Sequence, residues 1–152
     1  MSLTPGDQSK ISEHMEFCRT DREKKGQFLF PSCGCVFKND YTVGVPSGLL
    51  IEASGMKGVR VGNAEVSEYH ANFVFNRGAT SRQILELTMV MREAVFRNFG
   101  VWMEYEMEVM GVIPEDLRAR FYESRSATPN DKLRALQEKF AKKNNQQKSG
   151  WS

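Results

Sequence analysis

Apolar positions recur along this chain with two periods, and each change of period marks a boundary between elements. The strongest helical signal runs from Ser81 to Phe99, where Ile84, Leu87, Met91, Val95 and Phe99 share one face. Thr80 and Gln83 have the spacing of a capping box, in which hydroxyl and amide satisfy N–H groups that the first turn leaves unpaired. Gly100 is a natural stop. From Val101 to Val109 the pattern alternates, with Trp102 and Glu104 on one face and Val101, Met103 and Tyr105 on the other, which predicts a strand. Ala71–Asn76 alternates in the same way and turns at Arg77-Gly78. Val59, Val61, Ala64 and Val66 predict strand interrupted by Gly58 and Gly62, and Cys35-Val36-Phe37 a short buried strand after a tight turn at Gly34. Ser47–Ser54 reads as a short helix with Leu49, Leu50 and Ala53 inward and Gly55 at its C-cap.

The flanks are less regular. Met1–Ser9 reads as a loose end, and Ile11, Met15 and Cys18 predict a short amphipathic helix that ends before Arg22. Asp21–Gly26 reads as a solvated break, and Phe28–Phe30 as a brief apolar run stopped by Pro31. After Pro114 a polar linker is expected to lead to a last helix, capped by Thr128 with Pro129 at its first position. Leu133, Leu136 and Phe140 form the apolar stripe of that helix, and Asn144–Ser152 is expected to be disordered. Interleaved strands and helices of this kind predict an α+β fold: a small sheet with helices packed on one face, plus a C-terminal helical extension.

With 152 residues, 40% hydrophobic and 26% charged, the chain suits one soluble domain with appendages. No apolar run approaches the roughly 18 residues that span a bilayer, and the polar start lacks a secretory pattern. Three cysteines, Cys18, Cys33 and Cys35, build no full disulfide framework, so free thiols in a reducing compartment are expected. His14 and His70 show no ligand-like spacing to them, and no metal site is expected. Val112–Ser152 carries nine Lys/Arg against five Asp/Glu, a basic balance that suits a solvated helix. The same balance could also draw nucleic acid or acidic lipid.

The sequence has no phosphate-cradling glycine loop, no paired-His metal helix and no nucleophile elbow. Four blocks between Lys25 and Gly111 carry more. They are Pro31-Ser32-Cys33-Gly34-Cys35-Val36-Phe37-Lys38-Asn39, Gly48-Leu49-Leu50-Ile51-Glu52 with Gly55-Met56-Lys57-Gly58, Val66-Ser67-Glu68-Tyr69-His70-Ala71-Asn72-Phe73, and Phe99-Gly100-Val101 leading to Glu104-Tyr105-Glu106. In order and spacing they resemble the C-terminal, substrate-binding domain of UDP-N-acetylenolpyruvoylglucosamine reductases (UDP-N-acetylmuramate dehydrogenases). The Ser-Glu-His-Ala-Asn block is similar to the family's second type.

The resemblance implies a role in peptidoglycan synthesis: reduction of the enolpyruvyl ether of UDP-N-acetylglucosamine to UDP-N-acetylmuramate, with NADPH as reductant and FAD as carrier. It implies that Cys35 stands where the family has its proton-donating serine. A thiol, with a reference pKa near 8.5, is the easier donor. Read without the resemblance, Cys35 is a small buried residue. Glu106 matches the family's second acid, which supports the enolate-like intermediate or feeds the proton path. Its plainer reading is an exposed edge-strand carboxylate flanked by Glu104 and Glu108 on one face. Asn39 matches a ligand of the substrate diphosphate, His70 a nearby polar contact, and Lys25 lies near a basic diphosphate contact. Taken alone, a histidine at a strand start is structural, and Lys38 is a solvated strand-end charge. The chain departs from the family pattern at Asp40 and Tyr105, where prolines are usual, and at Asn63, where glycine is common.

The family's FAD-binding domains, with a catalytic arginine, would precede Arg22, where too little chain stands to enclose a flavin. The chain is therefore expected to be part of an enzyme or a truncated paralogue, holding neither FAD nor NADPH itself. Residues 1–24 read as the end of a preceding domain or linker, 25–111 as the substrate-binding domain and 112–152 as a basic helical extension. The expected partners are a UDP-sugar and the FAD-binding domains of the longer protein, with no nucleic acid and no membrane, in the bacterial cytoplasm. Two other classes compete: a standalone nucleotide-sugar-binding module without redox activity, and a basic interaction protein using Pro114–Ser152. The last predicts nucleic-acid affinity that falls steeply with salt.

Overall fold

The computed structural model describes residues 5–149. Its elements are α1 (Gln8–Lys24), a 3₁₀ turn (Tyr41–Val43), α2 (Ser47–Ala53), β1 (Arg60–Val61), β2 (Ala64–Val66), β3 (Val74–Asn76), α3 (Ser81–Phe99), α4 (Glu115–Phe121) and α5 (Asp131–Ser149). The three strands form one antiparallel sheet in the order β1-β2-β3. α3 lies against all three strands and also meets α2, α4 and α5, so it is the hub of the α+β fold.

α3 starts and stops where its sequence dictates. Thr80 accepts from the Gln83 N–H, the Gln83 amide returns to the Thr80 N–H, and Gly100 closes the helix in the left-handed region at φ 68°. Its inward face, including Leu87, Met91 and Val95, packs into a core with Val36, Phe37, Leu50, Ile51, Ala64, Val66 and Val74. Burial of such side chains is worth roughly 1.5–3 kcal/mol each. Where strand interrupted at Gly62 was expected, β1 and β2 form a hairpin about it, with Val61 opposite Ala64. Gly62 has φ 55°, and a Cβ there would strike the Gln83 side chain, so the hairpin tip is seated on the start of α3.

Several expectations need correction. α1 does not end before Arg22: it runs to Lys24, held by the Arg19–Glu23 and Lys25–Asp21 ion pairs at i,i+4 spacing, and buries none of its residues. The charged cluster therefore forms a solvated helix end rather than a break. Within the loose end expected over Met1–Ser9, Asp7 caps α1 by accepting from the N–H groups of Ser9 and Lys10, while residues 1–4 lie outside the described residues. In α2, Ile51 turns inward and Ala53 outward, and Ser54 rather than Gly55 is the C-cap.

Residues 101–109 do not form a regular strand. The alternation is present, with Val101 and Met103 buried and Glu104 exposed, but the facing segment is too short for a ladder, leaving the single bridge Phe37↔Tyr105. The polar linker after Pro114 is instead helix α4. Its Leu117 and Phe121 join Ile113, Leu85 and Met89 in a second small core. Glu115 and Asp116 in its first turn and Arg118 and Arg120 in its last suit the helix dipole.

α5 is capped by Asn130, not Thr128. The Asn130 Oδ1 accepts from the Leu133 N–H at 3.2 Å, and its Nδ2 donates to the Asn98 carbonyl at 2.9 Å. Thr128 instead donates its N–H to the Gly100 carbonyl at 2.8 Å. The stripe of Leu133, Leu136 and Phe140 does meet the core. α5 also continues through residues 144–149, expected to be disordered, while residues 150–152 of that stretch lie outside the described residues. Among the described residues no helix is long and apolar enough to cross a membrane.

Candidate functional site

The segment carrying Cys35 is pinned between two others. On one side Cys35 bridges Phe73, and the Val36 N–H donates to the Asn72 carbonyl at 2.9 Å. On the other, Phe37 bridges Tyr105 with their rings 4.9 Å apart, and the Lys38 N–H donates to the Glu104 carbonyl at 3.0 Å. The Val36 carbonyl receives two donors, Glu106 N–H at 2.9 Å and Met107 N–H at 3.3 Å. Two donors thus share one acceptor. The alternation continues through this point, with Tyr105 and Met107 packed on the core and Glu104, Glu106 and Glu108 exposed, and the Glu104 carboxylate is engaged by Lys38.

Cys35 is half-buried and reduced. Desolvation pushes its thiol pKa up, the nearby Glu106 carboxylate pushes the same way, and a hydrogen bond with Asn72 pulls against both. The thiol is therefore protonated at neutral pH, as a proton donor must be. Cys33 is also raised by burial, so neither thiol has the lowered pKa of a reactive thiolate.

His70 sits at the end of a turn in which the Ser67 hydroxyl oxygen accepts from the N–H groups of Tyr69 and His70. Its ring stacks on Phe73 at 4.4 Å, and its Nδ1 accepts from the Asn72 N–H at 3.3 Å. That bond leaves the proton on Nε2, which is free to donate. Burial first, and then the Lys25 charge, lower its pKa, so the ring is neutral at pH 7. Lys25 caps the end of α1 and pairs with Asp21 at 2.6 Å. Its charge is felt by both His70 and Cys35. The approach is set by Gly26, whose φ of 65° turns the chain and whose absent Cβ would lie 2.9 Å from the Tyr69 ring.

Asn39 does structural work too. Its Oδ1 accepts from the Ser47 N–H at 2.9 Å and so caps the start of α2. The next residue, Gly48, lies against His70, where a Cβ would sit 3.2 Å from Cε1. The first turn of α2 thus stands between Asn39 and His70. The Glu106 and Lys25 charges are felt at Cys35 and the Lys25 charge at His70, while Asn39 is tied to the start of α2.

Three clefts are found among the described residues. The first, of about 540 Å³, is lined by Cys33 and Arg82, the second, of about 760 Å³, by Arg92 and Tyr105, and the third, of about 270 Å³, by Asn39 and Phe140. None of the three is lined by Cys35, Glu106 or His70.

Sequence reasoning missed two residues. Asn72 is 1% exposed and clamps the Phe37 backbone, accepting from its N–H at 3.0 Å and donating to its carbonyl at 2.8 Å. Arg92, buried on α3, lies over the rings of Trp102 and Tyr105 and donates to the carbonyls of Arg120 and Phe121 at 2.7 and 2.9 Å. A polar residue on an otherwise apolar helix face was the available signal for Arg92.

Residues 24–110 match the family described as UDP-N-acetylenolpyruvoylglucosamine reductase, C-terminal domain. The chain is 46% identical over 110 residues to the UDP-N-acetylenolpyruvoylglucosamine reductase of Treponema pallidum, covering 72% of this chain and 31% of that protein. The corresponding protein of Moorella thermoacetica is 45% identical over 112 residues, covering 73% and 36%. The crystal structure of the Thermus caldophilus reductase superposes with a TM-score of 0.58 at 36% identity, covering 72% of this chain and 38% of that one. The chain thus spans about a third of the length of the curated relatives it matches.

Proposed function

The chain belongs to the UDP-N-acetylenolpyruvoylglucosamine reductase family, and from that premise we propose that it is the portion that binds the UDP-sugar and donates the proton in the NADPH- and FAD-dependent reduction leading to UDP-N-acetylmuramate. Such an enzyme would work on peptidoglycan precursors in the bacterial cytoplasm, and the Ser67-Glu68, His70-Ala71-Asn72 block favours the family's second type. The carrying observation is the pinning of the Cys35 segment to Phe73 on one side and to residues 104–107 on the other, with the Cys35 thiol pKa raised by burial and by the Glu106 charge.

Bound reduced flavin would supply the hydride. The described residues are assigned the other half of the chemistry, holding the substrate and giving the proton. Cys35 Sγ–H gives its proton to the alkene carbon next to the one that takes the hydride, and Glu106 feeds the proton path that restores the thiol. Neutral His70 offers an Nε2–H donor without adding charge. Asn39 turns its Nδ2 toward the diphosphate while its Oδ1 holds Ser47, and Lys25 adds a positive charge nearby.

Calorimetric titration of UDP-N-acetylglucosamine into this chain tests the reading. Binding is weak, because contacts from the rest of the protein are missing. Asn39→Asp keeps the oxygen that caps α2 but replaces the amide donor with charge, and it should weaken binding by about tenfold or more, the loss of a hydrogen bond to a charged group. An unchanged affinity would mean that Asn39 does not meet the diphosphate. A stoichiometric flavin absorbance on this chain after gel filtration would count against the division of labour.

A further inference from the structure

The matched residues end at 110, yet α5 reaches back to the loop that carries Asn39. That loop is closed at its base by the Ser47 N–H donating to Asn39 Oδ1 at 2.9 Å and by the Ser47 hydroxyl donating to the Lys38 carbonyl. Its first turn is capped by Asp40, which accepts from the Thr42 N–H at 2.9 Å and the Thr42 hydroxyl at 2.6 Å. The tip is held from outside. The Gln137 Nε2 donates to the Val43 carbonyl at 2.8 Å, and Gly44, at φ 76°, passes beneath the same side chain. Phe140, one turn further along α5, lines the 270 Å³ cleft with Asn39, Asp40, Tyr41 and Pro46.

α5 is itself fixed to the core. Leu133 is 3% exposed, Asn130 ties the helix start to Asn98, and Thr128 ties the preceding strand of chain to Gly100. A rigid element thus braces from outside the tip of a loop whose own bonds close its base and its Tyr41–Val43 turn, where the Val43 N–H donates to the Asp40 carbonyl at 3.1 Å and the Gly44 N–H to the Tyr41 carbonyl at 3.2 Å. Ordering such a loop when ligand arrives costs conformational entropy, and a loop ordered beforehand avoids that cost.

We propose that Gln137 is a positioning residue for the UDP-sugar site: it orders the Tyr41–Gly44 tip and so presets Asn39 for the diphosphate. The proposal rests on the assignment of Asn39 above. It gives the extension a task in ligand binding rather than in nucleic-acid binding.

The test uses the whole chain, with Gln137→Met to keep the packing volume and remove the donor. Two quantities are read: hydrogen exchange of the Val43 and Gly44 amides, and affinity for UDP-N-acetylglucosamine. Exchange at both amides should speed up by about fivefold, that of the α3 amides should not move, and affinity should fall by about fivefold, the scale of one net hydrogen bond. In an Asn39→Asp background, Gln137→Met should produce no further loss of affinity. Unchanged exchange at Val43 and Gly44, or a fully additive loss of affinity, overturns the brace while an effect of Asn39→Asp alone leaves the substrate assignment standing. If Asn39→Asp alone has no effect, the substrate assignment fails and the proposal goes with it.

Discussion

Asn72 holds Phe37 by both ends of one amide, its Oδ1 accepting from the Phe37 N–H and its Nδ2 donating to the Phe37 carbonyl, at 3.0 and 2.8 Å. A side chain here replaces a strand neighbour, because Phe73 pairs with Cys35 and no residue of that strand lies opposite Phe37. The clamp fixes the stretch that carries Cys35 on one side and Asn39 on the other.

Removing it should be expensive. Asn72→Ala leaves a buried N–H and a buried carbonyl unpaired, each costing about 1–3 kcal/mol, so a loss of roughly 2–5 kcal/mol is expected in urea unfolding. Asn72→Asp should be no better, since its carboxylate would face the Phe37 carbonyl. A loss below about 1 kcal/mol for Asn72→Ala would show that water replaces the amide.

Cys35→Ala in the full-length, flavin-containing protein should slow reduction of the enolpyruvyl substrate by about 10²-fold or more, the usual scale for a positioned acid. Flavin reduction by NADPH, followed in a stopped-flow instrument, should be unaffected. Cys35→Ser should retain substantial turnover, because the proposed role needs only a proton-bearing hydroxyl or thiol at this position. Near-full turnover in Cys35→Ala would demote the thiol to packing and leave Glu106 as the donor to examine.

His70 gives the stability a pH dependence whose sign follows from its burial. Its folded pKa lies below the ordinary value near 6.5, so the unfolded chain takes up the proton first as pH falls. The contribution is therefore complete above about pH 6.5 and is lost as pH drops below it. Asp40, held low by Thr42, and Asp116, held low by Arg82, lose theirs only below about pH 4. Urea midpoints measured between pH 7.5 and 5.5 should fall for the unaltered chain and stay flatter for His70→Gln. Equal slopes would remove His70 as the cause.

Two glycines in the left-handed region should respond differently to alanine. Gly34, at φ 82°, has no heavy atom within 4 Å of a would-be Cβ, so Gly34→Ala should cost only the backbone strain, about 1–2 kcal/mol. Gly100 has φ 68°, but its Cβ would land on the Thr128 carbonyl and break the seat of α5. Gly100→Ala should therefore lower the melting temperature several degrees further than Gly34→Ala. Equal shifts would show that residues 128–130 move aside at little cost.

The features legible in the sequence were those built from neighbouring residues. Thr80, Gln83 and Gly100 announce α3 because the groups they satisfy lie within a turn of them. The strand interruption read at Gly62 has the same range, and there the chain turns between β1 and β2. Where an outcome depended on a distant partner, local reading failed. Val101–Val109 alternates like a strand but meets only a short facing segment. Thr128 looks like a helix cap, yet its backbone belongs to Gly100 and the cap falls to Asn130. Asp21–Gly26 reads as a break until the i,i+4 ion pairs are seen. At the site, the blocks around Cys35, His70 and Glu106 pointed to one region, but the shared Val36 carbonyl and the amide of Asn72 needed the fold.

The bond between Gln137 and Val43 spans 94 residues of chain. A ribosome makes the 39–47 loop before α5, and Asp40 and Ser47 can close its base at once from residues already present. The outside brace on its tip must wait until α5 has left the exit tunnel and docked on α3. A nascent chain stalled before Gln137 would thereby display the residues of the site without the brace that joins them to α5.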